Sequence, residues 1–249
     1  MTIQNLSFSD SVINAAVRQF HHDDQSLGAL FDKQPVENFE PGESVFFEDD
    51  PTKHIFEVVE GVLRLCKILV DGRRVICGFL FAGDIVGVSQ QHRFNYGAEA
   101  VNAVKIRRVN RRALEDAIER SPRMRPQVFS RMCDEMNALQ QQMVLLSCKS
   151  AEERVCSFLA KLMKRQAIPG EHPILIDLPM TRLDMADYLG LTIETVSRNL
   201  TKLAKKGVLA DVDRFSLRVV KPNLLNELAG IWSEDEDEHV PATPRLSRH

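Results

Sequence analysis

The sequence predicts an α+β chain: an antiparallel β domain, then a long helix, then a small C-terminal domain built on two short helices and a hairpin. Three observations predict it. Between Phe39 and Val109, short runs of apolar and polar residues are cut by turn dipeptides. After Asn110 the apolar period lengthens to about 3.6 residues. Residues 180–207 carry two helical patterns separated by a glycine. A length of 249 residues suits two domains better than one, and 44% hydrophobic with 27% charged residues is the balance of a globular chain.

The first thirty-odd residues are polar and mixed, with a weak amphipathic pattern (Val12, Ile13, Ala16, Val17, Phe20) that fits a short helix. The strand-like runs SVFFE, HIFEVVEGVLRLCKIL, RRVICGFLF and AVNAVKIRRV follow, divided by Pro41-Gly42, Asp50-Pro51, Asp71-Gly72 and Gly83-Asp84. Such spacing reads as a β-sandwich or barrel. Seven of the twelve glycines lie between residues 42 and 97, as many tight turns require. Asp71-Gly72, between LRLCKILV and RRVICGF, is a strong hairpin signal.

Asn110 is placed to cap a short helix, RRALEDAIER, that stops before Ser121-Pro122. A longer helix then runs from about Pro122 to Cys148. On it Phe129, Met132, Met136, Leu139, Met143 and Leu146 recur at alternating spacings of 3 and 4, with Gln140, Gln141 and Gln142 between them. One reading packs this seam on the chain's own β domain. The other sets it against a partner helix in a parallel homodimer, which the narrow stripe favours, and methionine lets such a seam repack. Ser150 and Glu153 form a capping-box pattern that opens a helix carrying Val155, Phe158, Leu159 and Leu162, ended by Pro169-Gly170. HPILIDLPM holds a short strand-like run, and GVLADVDRFSLRVV reads as a small hairpin. The last residues are acidic and contain proline, a composition that does not bury a core.

The most informative segment is MTRLDMADYLGLTIETVSRNLTKLAKKG. Thr181 precedes a short helix whose inward residues are expected to be Leu183, Met185, Ala186 and Leu189, and Gly190 supplies the tight turn. Thr192 caps a second helix with Val196, Leu200 and Leu203 as its buried stripe. Its other face carries Glu194, Ser197, Arg198, Lys202, Lys205 and Lys206. A capped basic second helix after a glycine turn is the arrangement that reads DNA in the major groove. The formal charge of the whole chain, −3, excludes a broadly basic nucleic-acid coat. The segment Leu191–Lys206 nevertheless holds a local +3, while residues 233–249 hold −3, so the tail masks a basic helix. The lysines alone would also suit a solvated helix C-terminus. Glu194 argues further, since an acid on a DNA-facing surface is useful where it accepts from a cytosine amino group.

Other classes are excluded along the way. No run of about 18 apolar residues is present to span a membrane, and the N-terminus lacks the pattern of a secretory signal. Five cysteines (Cys66, Cys77, Cys133, Cys148, Cys156) without a C-x-x-C pair argue against a disulfide framework or a zinc knuckle, and place the chain in a reducing cytoplasm. No glycine-rich phosphate loop, Ser/His/Asp order or metal-spaced His/Glu group points to an enzyme. The run His21-His22-Asp23-Asp24 reads as a solvated turn, and no metal site is expected.

Glu194-Thr195-Val196-Ser197-Arg198 resembles the recognition-helix motif of the CRP/FNR superfamily of bacterial transcription regulators, and the resemblance covers about residues 35–232. KSAEERVCSFL and YLGLTIETVSR are especially similar to its FixK-like branch. The resemblance implies an N-terminal arm (1–34), a β-roll sensor domain of the cyclic-nucleotide-binding kind (35–121), a dimerisation helix (122–148), a winged helix-turn-helix domain (149–232) and a disordered acidic tail (233–249). It implies that Arg198 donates to a guanine, Glu194 accepts from a cytosine, Ser197 meets a thymine and Ile193 makes apolar contact. Thr181, Arg182, Thr192, Thr195 and Lys202 would lie on phosphates. The implied target is palindromic double-stranded DNA of the TTGA…TCAA type, read by a homodimer with half-sites about one helical turn apart. RNA polymerase is the implied further partner, touched near Val70-Asp71-Gly72-Arg73.

The family's sensing chemistries leave few traces. Where a cyclic-nucleotide site has its Gly-Glu and Arg-Ser pairs, this chain has Gly87-Val88 and, roughly, Gly97-Ala98, so no cation awaits a phosphate. An iron–sulfur cluster needs cysteines near the N-terminus, and the first here is Cys66. No cofactor is therefore expected, which is the FixK-like pattern and implies control by abundance in microaerobic respiration, denitrification or nitrogen fixation. A regulator sensing haem, nitric oxide or a small ligand is the alternative, with His54 or His92 as a haem ligand. Cys148 and Cys156 flank the junction of long helix and DNA-reading domain as candidates for thiol oxidation, beside the plain reading that both are small buried hydrophobes.

Overall fold

The structure is a computed structural model that describes residues 26–88, 92–167 and 174–231. The expected helix over Val12–Phe20, the His21–Asp24 run, Pro169-Gly170 and the acidic tail lie outside the described residues. The chain divides into two compact units, residues 1–143 and 144–249.

In the N-terminal unit, β1 (Val36–Phe39), β8 (Val104–Asn110), β3 (His54–Glu60) and β6 (Ile85–Val86) form one antiparallel sheet in that order. A second contains β2 (Ser44–Phe46), β7 (Gly97–Ala100), β4 (Val62–Ile68) and β5 (Arg74–Phe81). Alternation decides which side chains go in: Val104 and Ile106 of β8 are buried while Lys105 between them is exposed. The core is notably aromatic, with Phe46 stacked on Phe94 at 3.9 Å between centroids and on Phe56 at 5.2 Å. Asp71-Gly72 makes the expected hairpin. Leu69 N–H donates to Arg73 O at 2.8 Å, and the Asp71 carboxylate accepts from the Arg73 backbone.

The turn from β3 to β4 depends on Gly61. Its φ is +85°, and a Cβ there would stand 2.3 Å from the Ala103 carbonyl oxygen. The Asn102 side chain completes this corner by accepting from Val62 N–H at 2.8 Å.

Helix α1 (Leu27–Asp32) falls in the segment read from sequence as an arm, yet Leu27, Ala29 and Phe31 are buried, Phe31 completely. Leu27 and Phe31 pack with Ile55, Val109, Leu114 and Met124 in a second core. Asn110 caps α2 (Arg111–Arg120) by accepting from Arg112 N–H, and α3 spans Met124–Cys148. All six residues of the α3 seam are exposed, from 38% at Leu146 to 67% at Phe129.

The C-terminal unit begins in the last turn of α3 and continues with α4 (Ala151–Gln166). Ser150 and Glu153 make both bonds of the capping box, and Val155, Phe158, Leu159 and Leu162 are buried. A three-stranded sheet, β10 (Leu209–Ala210), β11 (Ser216–Val219) and β9 (Ile174–Asp177), stands beside α5 (Arg182–Leu189) and α6 (Ile193–Lys205). Helix α7 (Pro222–Leu228) buries Leu225 and was not read from the sequence. Leu183 was expected inward but is 47% exposed. Asp184 takes the inward first-turn place instead, because its carboxylate closes a capping box with Thr181.

One guanidinium ties the pieces of this unit together. Arg154 donates to the carbonyls of Leu146 (2.8 Å), Lys149 (2.9 Å) and Leu189 (3.0 Å). Leu146 and Leu189 lie in the last turns of α3 and α5, where carbonyls have no partner within the helix. Gly190 closes α5 in the left-handed conformation, φ +62°, and a Cβ there would press within 3.4 Å of both Arg154 and Leu146.

Two stability measurements check this build. Gly61→Ala is expected to cost about 3 kcal/mol, from left-handed strain plus the clash with Ala103, read by chemical denaturation; an unchanged midpoint contradicts the corner. Arg154→Met is expected to cost about 2–3 kcal/mol, since three carbonyls lose a charged donor. A loss below about 0.5 kcal/mol would show that water replaces the guanidinium.

Candidate nucleic-acid interface

The orientation of α6 is set by what it buries. Val196, Leu200 and Leu203, spaced by 4 and 3, are within 2% of full burial. Ile193, Glu194, Ser197 and Arg198 consequently share the exposed face, in the first two turns. Thr192 caps the helix as expected, accepting from Thr195 N–H at 3.2 Å. The helix N-terminus, with its partial positive charge, is thereby presented outward together with the base-reading candidates. The backbone N–H of Glu194, the Thr192 hydroxyl and Arg198 hold the Glu194 carboxyl below the usual carboxylate range. It is a pure acceptor at neutral pH, and Arg198 is a pure donor.

The residues expected on phosphates divide. Thr181, Thr192 and Thr195 are surface residues whose hydroxyls are engaged locally: Thr181 with Asp184, and Thr192 with Thr195 at 3.1 Å. Arg182 is partly buried, and its guanidinium is engaged within the unit. Its guanidinium donates to the Asp213 carbonyl at 2.6 Å and to the Met185 sulfur at 3.3 Å, and burial lowers its pKa. It therefore braces the turn between β10 and β11. That turn is organised by Asp213, whose carboxylate accepts from the backbone of Phe215 and Ser216. Lys202 is held by Glu152 of α4 at 2.5 Å, and Lys206 by the same carboxylate at 2.7 Å. Glu152 lies 50 residues before Lys202, so no local pattern pairs the two. Its only local signal was a second acid beside the capping-box Glu153 in the first turn of α4.

The two cysteines at the junction differ. Cys156 is completely buried, and desolvation pushes its thiol up to about 12. That is the plain buried hydrophobe rather than the thiolate that oxidation needs. Cys148 is exposed, with its sulfur 3.4 Å from Ser147 Oγ.

In the N-terminal unit, the positions matching a nucleotide pocket are filled by structure. Gly87, at φ +93°, passes its carbonyl to the Arg111 guanidinium, and a Cβ there would meet His54 O and Phe94 at 3.3 Å. Ala98 is buried in the aromatic core, and Gly97 lies with Phe46 O 3.3 Å from where a Cβ would be. A cavity of about 190 Å³ beside His54, Lys53, Phe94 and Arg108 is smaller than the roughly 300–1,000 Å³ of ordinary ligand sites. Its Arg108 is already paired with Glu37.

Comparison with known proteins agrees with this geometry. A family model described as a cyclic nucleotide-binding domain matches residues 36–121, and one described as a Crp-like helix-turn-helix domain matches residues 153–228. The nitrogen fixation regulation protein FixK of Bradyrhizobium diazoefficiens is 38% identical over 208 residues, 84% of this chain and 84% of its own length. The transcriptional activatory protein AadR of Rhodopseudomonas palustris is 38% identical over 193 residues, 76% of this chain and 79% of its own. The solved structure of FixK2 from Bradyrhizobium japonicum superposes with a TM-score of 0.75 at 32% identity, covering 80% of this chain and 99% of that one. With both halves matched and the recognition motif exposed on α6, the chain belongs to the CRP/FNR family of DNA-binding transcription regulators.

Proposed function

We propose that this regulator is a homodimeric activator that reads TTGA…TCAA-type palindromes and serves low-oxygen respiration or nitrogen fixation. The observation that carries the DNA reading is the exposed set Glu194, Ser197 and Arg198 on a helix fixed by Val196, Leu200 and Leu203. Arg198 donates bidentately to guanine O6 and N7, Glu194 accepts from the cytosine amino group, and Ser197 and Ile193 meet neighbouring thymines. Thr181, Thr192 and Thr195 approach phosphates through local hydroxyls and the N-terminal amides of α6. The gene class is supported by the names of its relatives, a nitrogen fixation regulation protein and a transcriptional activatory protein.

The dimer is supported by the seam of α3. Phe129, Met132, Met136, Leu139, Met143 and Leu146 are exposed along some five turns. A monomer that left such a stripe in water would forgo about 1.5–3 kcal/mol for each large side chain a partner could bury. Contact with RNA polymerase fits the β4–β5 hairpin, where Val70 is fully exposed and Ile68 more than half so. Control by abundance rather than by a bound effector fits the presence of Gly87-Val88 and Gly97-Ala98 where a nucleotide site has its acidic and cationic residues.

Two experiments test these readings. Replacing Arg198 with Ala is expected to cost about 1–3 kcal/mol on a palindromic duplex and to erase preference for guanine at its position; a variant that keeps wild-type discrimination rules Arg198 out as the guanine reader. Met136→Asp places a charge in the middle of the seam. Sedimentation is expected to shift towards the 28.2 kDa monomer, with palindrome affinity falling at least tenfold and secondary structure intact. A protein that stays dimeric refutes the seam.

A further inference from the structure

Glu152 belongs to the first turn of α4, yet its carboxylate closes on two lysines of the recognition helix and its C-cap. Lys202 Nζ lies 2.5 Å from Oε2 and Lys206 Nζ 2.7 Å from Oε1, so each oxygen serves one ammonium. The carboxylate side chain is 21% exposed, and the two lysines pull its pKa below the usual range. The lysines are one helical turn apart, and Lys202 is one turn beyond Arg198. They extend the edge of the reading face, where a DNA backbone would pass.

Phosphate contacts supply affinity for any sequence, whereas base contacts supply the discrimination. A reading helix with both lysines available would bind all DNA more tightly, and a genome offers a vast excess of wrong sites. We propose that Glu152 is a specificity-determining residue: its carboxylate withholds Lys202 and Lys206 from the DNA backbone, leaving discrimination to Glu194, Ser197 and Arg198. This rests on the reading of α6 as the recognition helix. It replaces the expected phosphate contact of Lys202 with a contact inside the protein. One carboxylate facing two ammonium groups also leaves a residual positive charge, so association with DNA is still steered.

The test is Glu152→Gln in the full chain, a change of charge without a change of shape at a partly exposed position. Fluorescence anisotropy is measured with a duplex containing the TTGA…TCAA palindrome and with a scrambled duplex of the same composition, across a salt series. The scrambled duplex is expected to bind about 5–10-fold more tightly to the variant. Its log–log salt slope should steepen by about 1–2, as one or two more phosphates at about 0.9 each would give. The palindrome should gain less, so the ratio of the two affinities falls. The variant E152Q/K202Q/K206Q is expected to lose the gain. An unchanged or weakened scrambled-duplex affinity in Glu152→Gln, with unchanged slope, overturns the proposal. So does a gain that persists without the two lysines. A wild-type protein that fails to prefer the palindrome overturns instead the reading of α6 on which the proposal stands.

Discussion

Burial of Val196, Leu200 and Leu203 fixes the roll of α6 about its own axis, and the chemistry of the reading surface follows from that roll. Rotating the helix by one residue, about 100°, would bring Ser197 and Arg198 towards the core and carry three apolar side chains into water. Each of those side chains contributes about 1.5–3 kcal/mol by burial, and an unpaired guanidinium inside costs several more. The exposed Glu194, Ser197 and Arg198 are thus held in place by the buried residues of the same helix. Thr192 adds a start to the helix, and Gly190 lets α5 stop in time for it.

Polar groups around that helix serve the fold more than they serve a ligand. Arg154 satisfies carbonyls at the ends of α3 and α5, Arg182 holds the β10–β11 turn, and Asp184 closes the α5 capping box. Each removes an orphan donor or acceptor that would otherwise cost about 1–3 kcal/mol if buried. The result is a small unit whose basic surface is partly spent on its own structure. In the other unit the same economy appears in apolar form, with Phe46, Phe56 and Phe94 occupying the centre between the two sheets.

What was legible in the sequence is what repeats locally. Period 2 between Phe39 and Val109, period 3.6 along α3, and the caps at Asn110, Ser150 and Thr192 all depend on neighbours within four residues. So does the exposed reading face of α6. The partners of Lys202 and Arg182 were not legible, because Glu152 lies 50 residues from Lys202 and Asp213 lies 31 from Arg182. No periodicity marks a polar pair that only folding brings together. Leu183 was misplaced for a related reason: an apolar residue in a first helical turn gave way to a capping aspartate. The burial of α1 was missed because six residues are too few to show a helical stripe.

The most direct measurement of the central claim is the affinity of the wild-type protein for a TTGA…TCAA duplex and every single-base substitution of it. Mirror-image penalties of about 1–3 kcal/mol at the guanine–cytosine pair of each half-site are expected, with smaller ones at the thymines. A flat profile, or penalties confined to one half, would contradict base reading by α6 in a symmetric dimer.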